Sequence, residues 1–178
     1  MEERHENEQY FFAADTIERL ASFLESYESV CCLAAPTLGR ELARRGQEVR
    51  VLDIDERFRD LPGFAYWDIA RPTWRGEHHD VIVCDPPFFG VSLSQLFDAL
   101  RVLTRYDFSG RVLVSYLTRR EKSLLSVFAD FDLRASGFRP RYETVDAAKR
   151  NDIELYTNLD ELDLARLRED DGEVAGVR

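Results

Sequence analysis

No apolar run in this chain approaches the roughly 20 residues needed to span a bilayer, and Met1 to Glu8 is polar and acidic rather than leader-like. Cysteine is scarce: Cys31 and Cys32 are adjacent, and Cys84 stands alone. An odd count, no C-x-x-C spacing and three apolar, strand-like settings read as reduced, buried thiols rather than a disulfide framework. His78-His79 has no further ligand at metal spacing, so no metal site is expected. Lysine is nearly missing, with Lys122 and Lys149 the only two, and 34 acidic residues outweigh 24 basic ones. The resulting net charge of −10 opposes indiscriminate attraction to nucleic acid or anionic membranes, while leaving room for a local basic patch. There is also no G-x-G-x-x-G and no Walker sequence, which excludes the common glycine-rich phosphate cradles. The expectation is a cytoplasmic protein with no membrane association.

What is present is enough for one domain: 178 residues, 44% of them hydrophobic. Residues 1–8 read as a mobile N-terminal tail, 9–158 as the folded domain, and 159–178 as a charged tail with at most one helical turn. Apolar spacing predicts a helix from Asp15 to Tyr27, with Asp15 as its N-cap. A strand from Val30 to Ala35 leads into a helix from Thr37 to Arg45, opened by Pro36 and closed by Gly46. Further strands are expected at Val49 to Asp53, Phe64 to Trp67, Asp80 to Cys84 and Arg111 to Tyr116. Helices are expected at Ser92 to Leu103 and Glu121 to Ala129. Two closing strands, Leu133 to Tyr142 and Ile153 to Thr157, flank a polar loop from Val145 to Asn151. Short apolar strands alternating with helices call for an α/β fold: a Rossmann-like, seven-stranded, mostly parallel sheet with helices on both faces. The closing pair, joined by a loop, adds an antiparallel edge strand.

In such sheets ligands bind beyond the carboxyl ends of the strands, where the first and fourth strands diverge. Asp85-Pro86-Pro87-Phe88 follows the fourth strand there. An exocyclic aromatic amine is a poor nucleophile because its lone pair is delocalised. Asp85 can accept one N–H and the Pro86 carbonyl the other, aiming the nitrogen at an electrophilic methyl group. Consecutive prolines at 86 and 87 stiffen the backbone and remove competing donors, and Phe88 offers a face for stacking. The bland alternative is a stiff turn that merely ends a strand.

Asp53 closes the second strand, where such folds bind ribose hydroxyls, although Asp53 or Asp55 could instead cap the following segment. Asp68, after the third strand, is a candidate partner for an adenine amine. In the first loop Ala34, Ala35 and Pro36 are small enough for close backbone approach to a ligand without phosphates. Gln9-Tyr10-Phe11-Phe12 is either core packing or a cover over that ligand. Arg119 and Arg120, with Lys149 and Arg150, should face the same sheet edge as Asp85 and could guide a phosphate backbone, unless neighbouring acids neutralise them.

The ordered set Gln9-Tyr-Phe-Phe12, Cys32-x-Ala-x-Pro36, Leu52-Asp-Ile-Asp55 with Arg57-Phe58, Asp85-Pro-Pro-Phe88 and Leu155-Tyr-Thr-Asn158 resembles the probable N6-adenine methyltransferase family over about residues 9–158. That family belongs to the class I S-adenosylmethionine-dependent methyltransferases. One branch holds a zinc-knuckle ribosomal-RNA adenine N6-methyltransferase, the other lysine methyltransferases of translation elongation factor 1-alpha. The resemblance implies S-adenosylmethionine contacts from Gln9, Tyr10 and Phe11, from Ala34, Ala35 and Pro36, and from Asp53, with the acceptor against Asp85, Pro86 and Phe88. The Phe88 ending looks closer to the ribosomal-RNA branch, but no zinc-binding accessory segment accompanies it. Three readings follow: adenine N6 methylation of RNA, such as ribosomal RNA; protein-lysine methylation of a translation factor; and a non-catalytic Rossmann-like subunit serving a partner subunit.

Overall fold

Strand residues divide by parity into two buried sets, and each set faces its own layer of helices. The computed structural model describes residue 3, residues 10–145 and residues 152–169. Five parallel strands, β1 (Val30–Leu33), β2 (Val49–Asp53), β3 (Phe64–Tyr66), β4 (Val81–Cys84) and β5 (Arg111–Leu117), are joined by two more, β6 (Arg134–Ala135) and β7 (Ile153–Thr157). The sheet order is β3-β2-β1-β4-β5-β7-β6. β7 runs antiparallel to both neighbours, so the expected antiparallel strand lies at this side of the sheet, with the two-residue β6 beyond it.

Val30, Cys32, Val51, Val81, Val83 and Leu113 point to the face covered by α1 (Ala14–Leu24) and α2 (Pro36–Arg44). Cys31, Leu33, Leu52, Ile82, Cys84, Val112 and Val114 point to the face covered by α3 (Leu93–Leu103) and α4 (Glu121–Val127). This period-two alternation is why each strand is apolar on both sides. All three cysteines are free and fully buried, and burial pushes their thiols up, so they act as small core hydrophobes. Among the described residues no helix is long and apolar enough to cross a membrane.

Local chemistry accounts for most boundaries. Pro36 opens α2 and Gly46 follows it in the left-handed region, as the turn requires. Gly39 lets α2 lie directly on β2, because a methyl group there would run into the Val51 side chain. Ser92 begins α3 with a capping box closed by Gln95. Three expectations are corrected. The N-cap of α1 is Ala13, not Asp15, whose carboxylate instead accepts from the adjacent Thr16 N–H. The strand expected over Leu133 to Tyr142 is reduced to Arg134–Ala135, because Gly137 turns through positive φ and Pro140 lacks a donor. The charged segment after Leu159 carries a full helix, α5 (Glu161–Glu169). It docks beside α1 through buried Leu164 and Leu167, and the Tyr27 hydroxyl donates to Asp163 at 2.7 Å. Residues 1 and 2 and residues 4–8 of the expected N-terminal tail lie outside the described residues.

Candidate active site

β1 and β4 are parallel neighbours whose following helices, α2 and α3, cross to opposite faces of the sheet. The chain therefore parts above these two strand ends and opens a cleft. Four strand ends supply its floor. The Asp85 N–H donates to the Leu33 carbonyl at 3.1 Å, the Ala34 N–H to the Leu52 carbonyl at 2.8 Å, and the Trp67 N–H to the Asp53 carbonyl at 3.0 Å. These bonds stitch together the first residues beyond β1 and β4 and the end of β2 with the residue after β3. Ala34 sits at φ +53, the left-handed region that disfavours residues bearing a Cβ. Strain of this kind, of order 1–3 kcal/mol, concentrates at ligand-binding sites.

The cleft brings together Tyr10, Phe11, Ala34, Ala35, Pro36, Asp53, Asp68, Asp85, Pro86, Pro87 and Phe88, all singled out from the sequence. Gln9, Lys149 and Arg150 lie outside the described residues. Asp53 is buried at 7% exposure and its Oδ1 accepts the Asp55 N–H at 2.8 Å. Burial pushes its carboxyl up to about 6, partly offset by that backbone bond. Asp55 faces Arg57 instead, accepting from its guanidinium at 2.6 Å. Asp55 is therefore the residue that caps the next turn, Glu56–Phe58, while the Asp53 carboxylate is held by the backbone N–H of Asp55. Asp68 is partly exposed, and its Oδ1 accepts the Ala70 N–H at 2.8 Å.

Asp85 is partly buried at the base of the cleft. Its Oδ1 accepts the Tyr142 hydroxyl at 2.7 Å. Burial pushes its carboxyl up to about 7, while the Tyr142 and Ser115 hydroxyls pull it back. Phe88 packs edge-on to Tyr116 with ring centres 5.8 Å apart. The next residue, Phe89, is 66% exposed, and the Arg119 guanidinium lies 5.7 Å from its ring centre. Arg120 donates to the Phe88 carbonyl at 3.2 Å and lies 5.6 Å from the Tyr116 ring centre. Both arginines thus stand beside the Asp85 motif, and neither forms an ion pair among the described residues. Of the acids near them in sequence, Asp152 pairs with Arg139 and Glu121 accepts from the Tyr156 hydroxyl, while Asp146 lies outside the described residues.

The aromatic segment is core packing and cleft wall at once. Phe12 is fully buried core, Phe11 packs edge-on to Phe58 at 6.0 Å, and both line the cleft. Sequence reasoning passed over Tyr142, Trp67, Ile69, Val91 and Phe89. Of these, Phe89 was visible as a second aromatic directly after the motif. Tyr142 carried no local signal, because it lies 57 residues from Asp85. Among the described residues no cluster of three His, Cys, Asp or Glu is placed to hold a metal ion.

Solved methyltransferase structures share this architecture. An S-adenosylmethionine-dependent methyltransferase from Clostridium acetobutylicum is similar with a TM-score of 0.57 at 8% identity, covering 79% of this chain and 90% of that one. The N-methyltransferase NodS from Bradyrhizobium japonicum, in complex with S-adenosyl-L-homocysteine, gives 0.54 at 14% identity, covering 80% and 83%. Magnesium protoporphyrin IX methyltransferase from Synechocystis, with bound S-adenosylmethionine, gives 0.54 at 15% identity, covering 80% and 77%. Identities this low establish the Rossmann-like methyltransferase fold and no more. No curated protein sequence matches. The family described as "Probable N6-adenine methyltransferase" matches residues 3–161, nearly the whole chain. The protein belongs to that family of methyltransferases.

Proposed function

We propose that this protein is an S-adenosylmethionine-dependent methyltransferase acting on the N6 amine of adenine in RNA. The observation that carries this reading is the convergence on one cleft rim of Asp85, Phe88, the exposed ring of Phe89, and Arg119 and Arg120, which form no ion pair among the described residues.

The cleft suits S-adenosylmethionine by its donor and acceptor set. Asp53, buried at the end of β2 and lining the cleft, can accept from the hydroxyls of a ribose. The left-handed turn at Ala34 brings bare backbone to the cleft without a phosphate cradle, matching a cofactor that has no phosphate. Asp68 lines the same cleft and would accept from an adenine amine, with Tyr10, Phe11 and Pro36 as the wall beside it. Bound there, the cofactor supplies a sulfonium-activated methyl group.

The chain's own residues do the rest. Asp85 accepts one N–H of the acceptor amine and the Pro86 carbonyl the other, which turns the nitrogen lone pair toward the methyl carbon. Phe88 holds the ring of the base by stacking. Pro87 keeps the segment stiff and withholds an N–H donor that would compete. Methylated nitrogen must shed a proton, and the Asp85 carboxylate, titrating near neutrality in this setting, is the base beside it. Phe89 and Arg119 offer a flat cation-bearing ledge for the neighbouring nucleotide, and the guanidiniums meet its phosphates.

The test is methyl transfer from tritiated S-adenosylmethionine to total RNA and, in parallel, to total protein from cells lacking the gene. RNA labelling recovered as N6-methyladenosine is expected, lost in Asp85→Ala while cofactor affinity is retained. Label recovered as methyllysine would replace adenine by a lysine acceptor. No label in either pool would favour an idle binding subunit.

A further inference from the structure

Asp85 does not stand alone in its cleft. The hydroxyl of Tyr142 donates to its Oδ1 at 2.7 Å. Tyr142 comes neither from β4 nor from the loop that follows it. It belongs to the segment between β6 and β7, which pairs with the aromatic stretch ahead of α1. The Ala13 N–H donates to the Arg141 carbonyl at 2.8 Å, and the Glu143 N–H to the Phe11 carbonyl at 3.0 Å. The Thr16 hydroxyl accepts the Arg141 N–H at 2.9 Å. The rings of Phe12 and Tyr142 pack with centres 5.2 Å apart. These contacts fix the position of the phenol by backbone pairing on both sides of it.

Among the described residues Tyr142 makes the hydrogen bond of defined geometry to the carboxylate. β5 contributes Ser115, fully buried, whose hydroxyl lies beside both groups and also draws the carboxyl down. β4 contributes the Cys84 thiol, which burial keeps neutral, and burial likewise keeps the Tyr142 phenol neutral. Among the described residues these two are the titratable groups facing Asp85. A carboxylate on its terminal torsion otherwise has a broad, two-fold choice of orientation. A charge-assisted hydrogen bond from a neutral phenol removes that freedom.

We propose that Tyr142 is a positioning residue for methyl transfer: its hydroxyl holds Oδ1 of Asp85 so that Oδ2 is the atom presented to the acceptor amine. The strap of Phe11–Ala13 against Arg141–Glu143 delivers the phenol, so the segment that lines the cofactor side of the cleft also sets the acceptor side. This inference rests on the reading of Asp85 as the acceptor's anchor.

Tyr142→Phe tests it, with two readouts. One is the infrared carboxyl band of Asp85, assigned by difference from Asp85→Asn and titrated without cofactor. The other is transfer from tritiated S-adenosylmethionine to total RNA as a function of pH. Loss of a hydrogen bond to the ionised form should move the band's midpoint and the acidic limb of kcat upward by about one pH unit. It should lower kcat at neutral pH roughly tenfold or more, with S-adenosyl-L-homocysteine affinity changed less than about twofold. A ring-fluorinated tyrosine at 142 keeps the packing, strengthens the donor and should move the midpoint downward. Wild-type midpoints in both variants would overturn the proposal, as would a wild-type kcat in Tyr142→Phe where Asp85→Ala is inactive. If Asp85→Ala itself transfers normally, the functional reading of Asp85 fails. The infrared midpoints still report separately whether Tyr142 holds the carboxylate.

Discussion

Replacing Asp85 by asparagine should stabilise this protein by an amount that grows from about pH 3.8 to about pH 7 and stays constant above it. The carboxyl rises from an ordinary 3.8 to about 7, chiefly because the fold strips water from it. A group raised in this way contributes fully below the unfolded value and loses that contribution as pH climbs from there to the folded value. The separation corresponds to roughly 4 kcal/mol if fully expressed. Asp85 retains a partly open face on the cleft, so screening by cleft water should leave about 2 kcal/mol. Asparagine preserves the shape and can still accept from Tyr142, yet never carries the charge. Urea unfolding of both proteins at pH 5, 6, 7 and 8 is the assay, with the difference in favour of Asp85→Asn widening from pH 5 to pH 7 and levelling off by pH 8. Asp53, raised to about 6, titrates in both proteins and cancels in the difference. A gap that does not vary with pH, or a variant less stable at pH 8, would refute the reasoning. The expected gain comes with lost methyl transfer, the usual exchange between stability and activity at a site built from desolvated charge.

Asp53→Ala should weaken calorimetric affinity for S-adenosyl-L-homocysteine by about 1.5–3 kcal/mol, the range for hydrogen bonds to a charged group. Unchanged affinity would remove Asp53 from the site. Replacing Arg119, Arg120, Lys149 and Arg150 together by alanine should reduce RNA affinity and flatten its dependence on salt, by about 0.7 in logarithmic slope for each single-strand phosphate no longer neutralised. Cofactor affinity should be spared, and an unaltered salt slope would show that RNA follows another track.

Much of the fold was legible in the sequence, and so was the position of its cleft. The inner parallel strands announced themselves as short apolar runs, because a strand covered on both faces has no polar side to show, whereas β3 at the sheet edge is half-exposed. Pro36, Gly46 and Ser92 marked helix ends through local backbone chemistry. Asp53 and Asp85 could be found because this topology puts strand ends in one place. Where tertiary contacts overruled local pattern, the sequence misled. α5 has only Leu164 and Leu167 to bury, too little for a clear apolar stripe, and it exists because α1 offers a surface to dock on. The strand expected through Tyr142 gave way to a turn at Gly137, which frees the residues beyond it to pair with Phe11–Ala13.

From sequence alone, then, came the order of elements, the switch point and the acidic residues at strand ends, all consequences of patterns spanning a short stretch of chain. Tertiary structure alone decided which oxygen of Asp85 meets Tyr142, how strongly each acid is desolvated, and where Arg119 and Arg120 stand against the Asp85 motif. Those properties depend on neighbours such as Tyr142 and Asp85, which are remote in the chain and adjacent in space.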